Sequence, residues 1–347
     1  MTHVYAQPAV LDRPVEHRLT DVEARSVLAL ATELTAGGAD PADPAFYDRA
    51  WPVLDRLPHG LRWFLERFRR EEPAAACLIH GFPVDDAGIG PTPEHWEAAA
   101  RRPVTARLHE AWLALCGMVL GEPFTWSTLQ SGRLIQSILP MRGDEQRQNG
   151  YGSEAILEFH TEDGFHPRRC DYLLLLGLRN PDAVPTLLAS VRDLDLDAGH
   201  RAVLAQPRFH IVPDDEHLLQ LAARDPRHPA LARMRAMHRD PEPVAVLFGG
   251  HRRPYLRIDR PFMRCAAGDA DAEAALDALM AALERVRQDV VVGPGSLLVV
   301  DNYLAVHGRR SFAARYDGTD RWLKKLTVSR NLRRFADHAD ATHRVQF

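Results

Sequence analysis

From Leu134 onward the chain keeps returning to short apolar runs, and their brevity constrains the fold more than any other feature. Leu134–Leu139, Tyr172–Leu178, Arg208–Val212, Val244–Phe248, Tyr255–Ile258, Leu297–Val300 and Leu323–Val328 are too short for helices and are set off by turn-forming residues, so they read as strands. Many short strands at uneven spacing predict a double-sheet jelly roll. The first third reads differently. Thr20 and Glu23 stand in the spacing of a capping box, which opens a helix running to about Leu34. Helical patterns recur near Leu61–Arg67 and Ala106–Leu120, around one strand candidate, Ala76–His80. Leu276, Leu279, Met280, Leu283 and Val286 recur at helical spacing, so 271–288 is expected to be an amphipathic helix covering one sheet, with Met280 as core filler. No repeat or low-complexity linker interrupts the chain. The expectation is one α+β domain over residues 1–347, its helical part (about 1–125) packed outside a double-stranded β-helix core.

Within this frame the chemistry concentrates in two segments. His160 and Glu162 end a strand-like stretch, and His307 follows the buried run Leu297–Asn302, which should carry it to a barrel rim. Other His-x-acid pairs occur at His95/Glu97, His238/Asp240 and His338/Asp340. On a strand, residues i and i+2 share a face; on a helix they diverge. His95 leads into a helix-forming Ala98–Arg102 stretch, His238 abuts Pro241 in an expected loop, and His338 lies in a polar tail, which leaves His160 and Glu162 as the pair able to share an ion. Two imidazoles and one carboxylate can form the facial triad of a non-haem Fe(II) oxygenase, with positions open for substrate and dioxygen. Farther on, Arg321, Leu323 and Lys325 would share one face of an alternating strand. A guanidinium pointing inward suits a dicarboxylic co-substrate, because it grips a carboxylate with two parallel hydrogen bonds. The same ligand types also bind zinc for a hydrolase, or for a jelly roll without catalysis; only an oxygenase couples metal-dependent use of dioxygen to succinate formation.

Composition excludes several other classes. With 43 basic and 47 acidic residues and a formal charge of −4, nothing calls for nucleic acid, and Arg67–Arg70 runs straight into Glu71 and Glu72, as a solvated helix face does. The cysteines, Cys77, Cys116, Cys170 and Cys265, are too scattered for a zinc site or a disulfide framework. Met1–Tyr5 shows no basic region followed by an apolar one, and no apolar stretch is long enough to span a bilayer; a reducing cytoplasm is the expected compartment and no membrane partner is expected. The polar stretch from about 213 to 241 reads either as an exposed loop or as an insertion that forms a lid beside the barrel mouth. Of the neighbours Arg309 and Arg310, at least one is expected to be a structural ion-pair partner.

These stretches, in order, resemble the clavaminate synthase-like branch of Fe(II)/2-oxoglutarate dioxygenases, and within it the arginine hydroxylases. The resemblance rests on Pro83–Asp86, His160–Phe165, Leu178–Asp182, Pro213–Asp215, Tyr255–Asp259 and His307–Arg310, continuing through Tyr316–Gly318 to Arg321–Lys324. It implies a jelly-roll fold, His160, Glu162 and His307 as iron ligands, and 2-oxoglutarate held by Arg321 and Thr186, with dioxygen as the other co-substrate. It also implies Asp214 and Asp259 facing a substrate guanidinium, Gln130 near the amino-acid backbone, and Lys325 at a carboxylate-binding position that is arginine in the relatives. A second difference is Arg260–Pro261, where the arginine hydroxylases carry another acid. The implied reaction is hydroxylation, at Cβ, of a free amino acid such as arginine or enduracididine. Citrulline, lysine, asparagine or a carrier-bound amino acid as substrate, and desaturation as outcome, remain open on the same motifs.

Overall fold

Thr20 and Glu23 meet as their spacing requires: Glu23 N donates to Thr20 Oγ1 at 3.2 Å, and Thr20 N donates to Glu23 Oε2 at 2.9 Å. Two otherwise unmatched donors are satisfied, and the helix Asp21–Thr35 begins there. The computed structural model describes residues 11–101, 104–335 and 344–347. Arg102, the His338/Asp340 pair and Met1–Tyr5 lie outside them.

Leu61, Leu65 and Phe68 of the helix His59–Glu71 and Trp112 and Leu115 of the helix Val104–Leu120 pack onto Leu174, Leu176, Val299, Leu326 and Val328. Those residues form one face of an eight-stranded sheet, ordered Val15–Arg18, Ala76–His80, Leu297–Asp301, Tyr172–Arg179, Trp322–Ser329, Glu122–Trp126 and Val345–Gln346, with Gln136–Ile138 also pairing Trp322–Ser329. The alternate residues Leu173, Leu175, Leu298, Val300 and Leu323 face the other way, into a second core shared with Leu188 and Ala305. Period-two alternation thus divides each strand between two apolar layers, which is why Tyr172–Arg179 reads as unbroken leucine and is buried throughout. The second core is closed by a four-stranded antiparallel sheet, Gln288–Val290, Thr186–Ser190, Ala305–Arg309 and Leu157–His160. Outside it the helix Ala270–Arg285 buries Leu276, Leu279 and Leu283, with Met280 packed at the edge.

The alternation also sorts neighbouring lysines. Lys324, 1% exposed, points to the helical layer, where its Nζ lies 2.6 Å from Glu110 and 2.9 Å from Ser137 Oγ. Lys325 points the other way, into the space between the sheets.

Several expectations change. The segment from about 213 to 241 is no open loop: it forms the helices Asp215–Arg224 and Pro229–Arg239. Asp214 caps the first by accepting from His217 N, and His228 caps the second. Leu221 and Leu231 form a small core with Phe347, so tertiary burial outweighs polar composition. His238 accordingly lies in a last helical turn. The strand that carries His160 stops there, leaving Glu162 beyond it. His307 sits inside its own strand, Ala305–Arg309, rather than on a rim loop. Among the described residues no helix is long and apolar enough to cross a membrane, and all four cysteines are free thiols.

Candidate active site

His160 and His307 are direct cross-strand partners, and such pairs bring side chains together; their ring centroids are 4.1 Å apart. Gly308 permits the approach, since a Cβ there would stand 2.5 Å from the Leu157 carbonyl oxygen. Glu162 arrives from the turn after its strand and is clamped by Asn302, whose Oδ1 accepts from Glu162 N at 2.7 Å and whose Nδ2 donates to Glu162 O at 3.0 Å. The run Leu297–Asn302 therefore contributes the clamp, and the ligand donors of His160, Glu162 and His307 all lie within 4.8 Å of one another.

Their protonation suits a cation. Burial, then His307, pushes His160 down to about 3, which keeps its imidazole neutral with a lone pair to give; its Nδ1 is fixed on Glu158 O at 2.9 Å. Burial would raise the Glu162 carboxyl, but Lys325 and then His307 hold it well below the ordinary carboxylate range. Lys325 Nζ stands 2.6 Å from Glu162 Oε1, and His307 Nε2 is 3.4 Å from Oε2. His307 Nδ1 is buried without a hydrogen-bond partner among the described residues.

One cavity continues from this cluster in two directions. Toward Thr186 and Arg321 it is cationic. Among the described residues no carboxylate pairs with Arg321, its Nε and the Thr186 hydroxyl are buried without hydrogen bonds, and Arg309 Nε is likewise orphaned. Burial, then the neighbouring Arg309, pushes Arg321 down to about 9. Buried donors left unmatched are costly, so this end of the cavity fits a carboxylate ligand. Toward Asp214 and Asp259 the wall is acidic, with Pro261 and Phe262 beside them. Asp259 is 7% exposed and its side chain caps nothing; burial, then Asp214, pushes its carboxyl well above the ordinary range. Burial also raises the partly buried Asp214.

His160, Glu162, His307, Thr186, Arg321, Lys325, Asp214 and Asp259 thus meet at one cavity. Gln130 does not line it. Its amide donates to Ser137 O and Tyr151 Oη and accepts from Ser137 N, while Gln136 and Tyr151 occupy the wall. Arg310 pairs with Asp289 on the surface, whereas Arg309 lies inside, held by the carbonyls of Ser153 and Ala155. Its place was readable, since it follows His307 by two on a strand. The Asn302 clamp was not, because it spans 140 residues.

Set among known proteins, this arrangement falls in the class of non-haem iron dioxygenases. The chain belongs to the family described as taurine catabolism dioxygenase TauD, TfdA family, which matches residues 75–327. It is 38% identical over 328 residues to enduracididine beta-hydroxylase of Streptomyces hygroscopicus, covering 91% of this chain and 94% of that protein. It is 40% identical over 329 residues to L-ornithine/L-arginine 3-hydroxylase of Catenulispora acidiphila, covering 91% and 95%. The crystal structure of non-heme iron oxygenase OrfP in complex with Fe, succinate and (3S)-hydroxy-L-Arg superposes with a TM-score of 0.89 at 38% identity, covering 96% of this chain and 99% of that one. OrfP in complex with Fe and alpha-ketoglutaric acid superposes with a TM-score of 0.84 at 38% identity, covering 96% and 100%.

Proposed function

We propose that the protein is an Fe(II)- and 2-oxoglutarate-dependent hydroxylase acting at Cβ of a free L-amino acid with a guanidino side chain, arginine or a cyclic relative such as enduracididine, in antibiotic-type secondary metabolism. The observation that carries this reading is the cavity that joins the His160–Glu162–His307 cluster to Arg321 on one side and Asp259 on the other, neither of which has an ion-pair partner among the described residues. The relatives named for arginine and enduracididine support the substrate class. The facing sheets support a double-stranded β-helix core in one domain, with the helices Asp215–Arg224 and Pro229–Arg239 as its lid.

His160, Glu162 and His307 hold the iron, and Arg321 with Thr186 holds the far carboxylate of 2-oxoglutarate. When bound, the pair supplies the oxidising power to hydroxylate an unactivated carbon with dioxygen, leaving succinate and carbon dioxide. The chain's own residues choose the carbon. Asn302 fixes the main chain of Glu162 and Lys325 engages one of its carboxylate oxygens, so the ligand cannot swing freely. Lys325 also offers an ammonium to the carboxylate of the amino acid. Asp259 and Asp214 offer acceptors to its guanidinium, and the entering cation favours the ionised form of two carboxyls that burial had raised. Fixing both ends of an extended substrate determines which C–H faces the histidine pair.

The test is succinate formation by anaerobically iron-loaded protein given 2-oxoglutarate and dioxygen, across arginine, enduracididine, ornithine, citrulline, lysine and asparagine, with product masses read alongside. Arginine or enduracididine should stimulate succinate and gain one oxygen. Loss of two hydrogens would make the enzyme a desaturase or cyclase, and no stimulation by any of them would remove free amino acids as substrates.

A further inference from the structure

His217 neither lines the cavity nor belongs to the ligand cluster, yet it joins the two halves of the site. It is 0% exposed and both ring nitrogens are engaged: Nε2 lies 3.1 Å from Asp163 Oδ1 and Nδ1 lies 2.6 Å from Thr128 Oγ1. Asp163 directly follows Glu162, has a backbone φ of 51°, a left-handed conformation that a non-glycine residue keeps only when held there, and accepts from Trp126 Nε1 at 2.6 Å through its other oxygen. In the opposite direction the His217 main-chain N–H donates to Asp214 Oδ1 at 3.2 Å. One residue is thereby bonded both to the turn that presents Glu162 and to the carboxylate at the substrate end. The ring is wedged edge-on against Phe165 at 5.0 Å. Of the other ties of this helix, Glu216 to Arg147 and Arg224 to Ser127 O involve partly exposed partners and Asn149 to Glu216 is buried but reaches neither the metal-bearing turn nor Asp214; the His217 contact is sealed from water, where hydrogen bonds are stronger and costlier to lose.

We propose that His217 is a positioning residue for the amino-acid substrate: through Asp163 it latches the helix Asp215–Arg224 to the metal-bearing turn and so sets where Asp214 stands relative to the histidine pair. This rests on the reading of Asp214 as a substrate carboxylate. A merely structural role would lower stability alone. A positioning role also separates the kinetic constants, because Arg321 and Thr186 lie on other elements and do not depend on the latch.

The variant His217→Phe keeps a ring and loses both side-chain bonds, while His217→Gln restores a donor. In the folded, iron-loaded His217→Phe enzyme the KM for arginine should rise by about tenfold or more with the KM for 2-oxoglutarate unchanged, hydroxylated product per succinate should fall, and His217→Gln should recover part of both. Amide exchange across 215–224 should quicken, with none across Leu157–His160 and Ala305–Arg309. An unchanged arginine KM and coupling ratio in a folded variant overturns the proposal. Should wild-type protein turn over no guanidino amino acid, the functional reading fails, and the exchange result alone decides the latch: unaltered protection of 215–224 refutes it. Thr128→Val removes only the Nδ1 partner and must shift the arginine KM in the same direction, by less; no shift there also counts against the latch.

Discussion

Asp259 has the most to gain from a cationic ligand. Among the described residues it is a buried carboxylate without a side-chain partner, in a cavity where Glu162, Asp163 and Glu216 are paired with Lys325, Trp126, His217 or Arg147 and Asp214 accepts only the main-chain N–H of His217. Removing one member of a desolvated charge pair costs about 2–5 kcal/mol, so Asp259→Ala should lower kcat/KM for arginine by at least about thirtyfold. Steady-state assays check this, and unaltered kinetics would take Asp259 out of the pocket. A second residue makes a pH prediction. Burial raises the Asp301 carboxyl to about 7 although Tyr303 N and Leu304 N donate to it. Its folded form holds the proton more tightly than the unfolded chain, so its contribution is fully present below about pH 4 and is lost as pH rises through 7. Asp301→Asn keeps the acceptor and removes the charge. Its free energy of unfolding, measured by denaturant titration, should match wild type near pH 4 and exceed it increasingly up to pH 8, by at most about 4 kcal/mol; a pH-independent gap would refute this.

Among the elements, those with a local signal were readable in the sequence. The strand Ala76–His80 has the expected bounds, and the helix Asp21–Thr35 starts where its capping box says. Thr186–Ser190 and Ala305–Arg309 lacked flanking turn signals strong enough to mark them, and their pairing depends on partners far away in sequence. The candidate site was more legible than its framework. The ligand types and the inward Arg321 follow from spacing, whereas Asn302 and His217 act through contacts that only folding creates, and Gln130 was placed at the cavity by likeness while its amide is engaged elsewhere. The paired helices Asp215–Arg224 and Pro229–Arg239 carry a prediction of their own. Their link is exposed at Asp225, Pro226 and Arg227. Trypsin should cut there more slowly once 2-oxoglutarate, metal and arginine are all present anaerobically; equal rates would mean that the helices do not close on substrate.

For the whole molecule, metal binding is folding energy, because the unfolded chain cannot bring His160 and His307 from opposite strands together. Fe(II) or Mn(II) under argon at a hundredfold excess over Kd should stabilise the protein by about 2.7 kcal/mol. Differential scanning calorimetry with and without a chelator measures this, and His307→Ala should abolish the increment. A metal-independent Tm would show that the cluster does not bind metal in solution.

The neighbouring lysines of Trp322–Ser329 make this assembly self-checking. A slip of that strand by one residue would move one lysine into the other's place, so that one of Glu110 and Glu162 would keep an ammonium while the other would face a leucine, Leu323 or Leu326. Either direction of slip strands one carboxylate in a dry interior, on one side of the sheet or the other. The register of Trp322–Ser329 is thus specified twice, by Glu110 on the face toward the helices and by Glu162 on the face toward the ligand cluster.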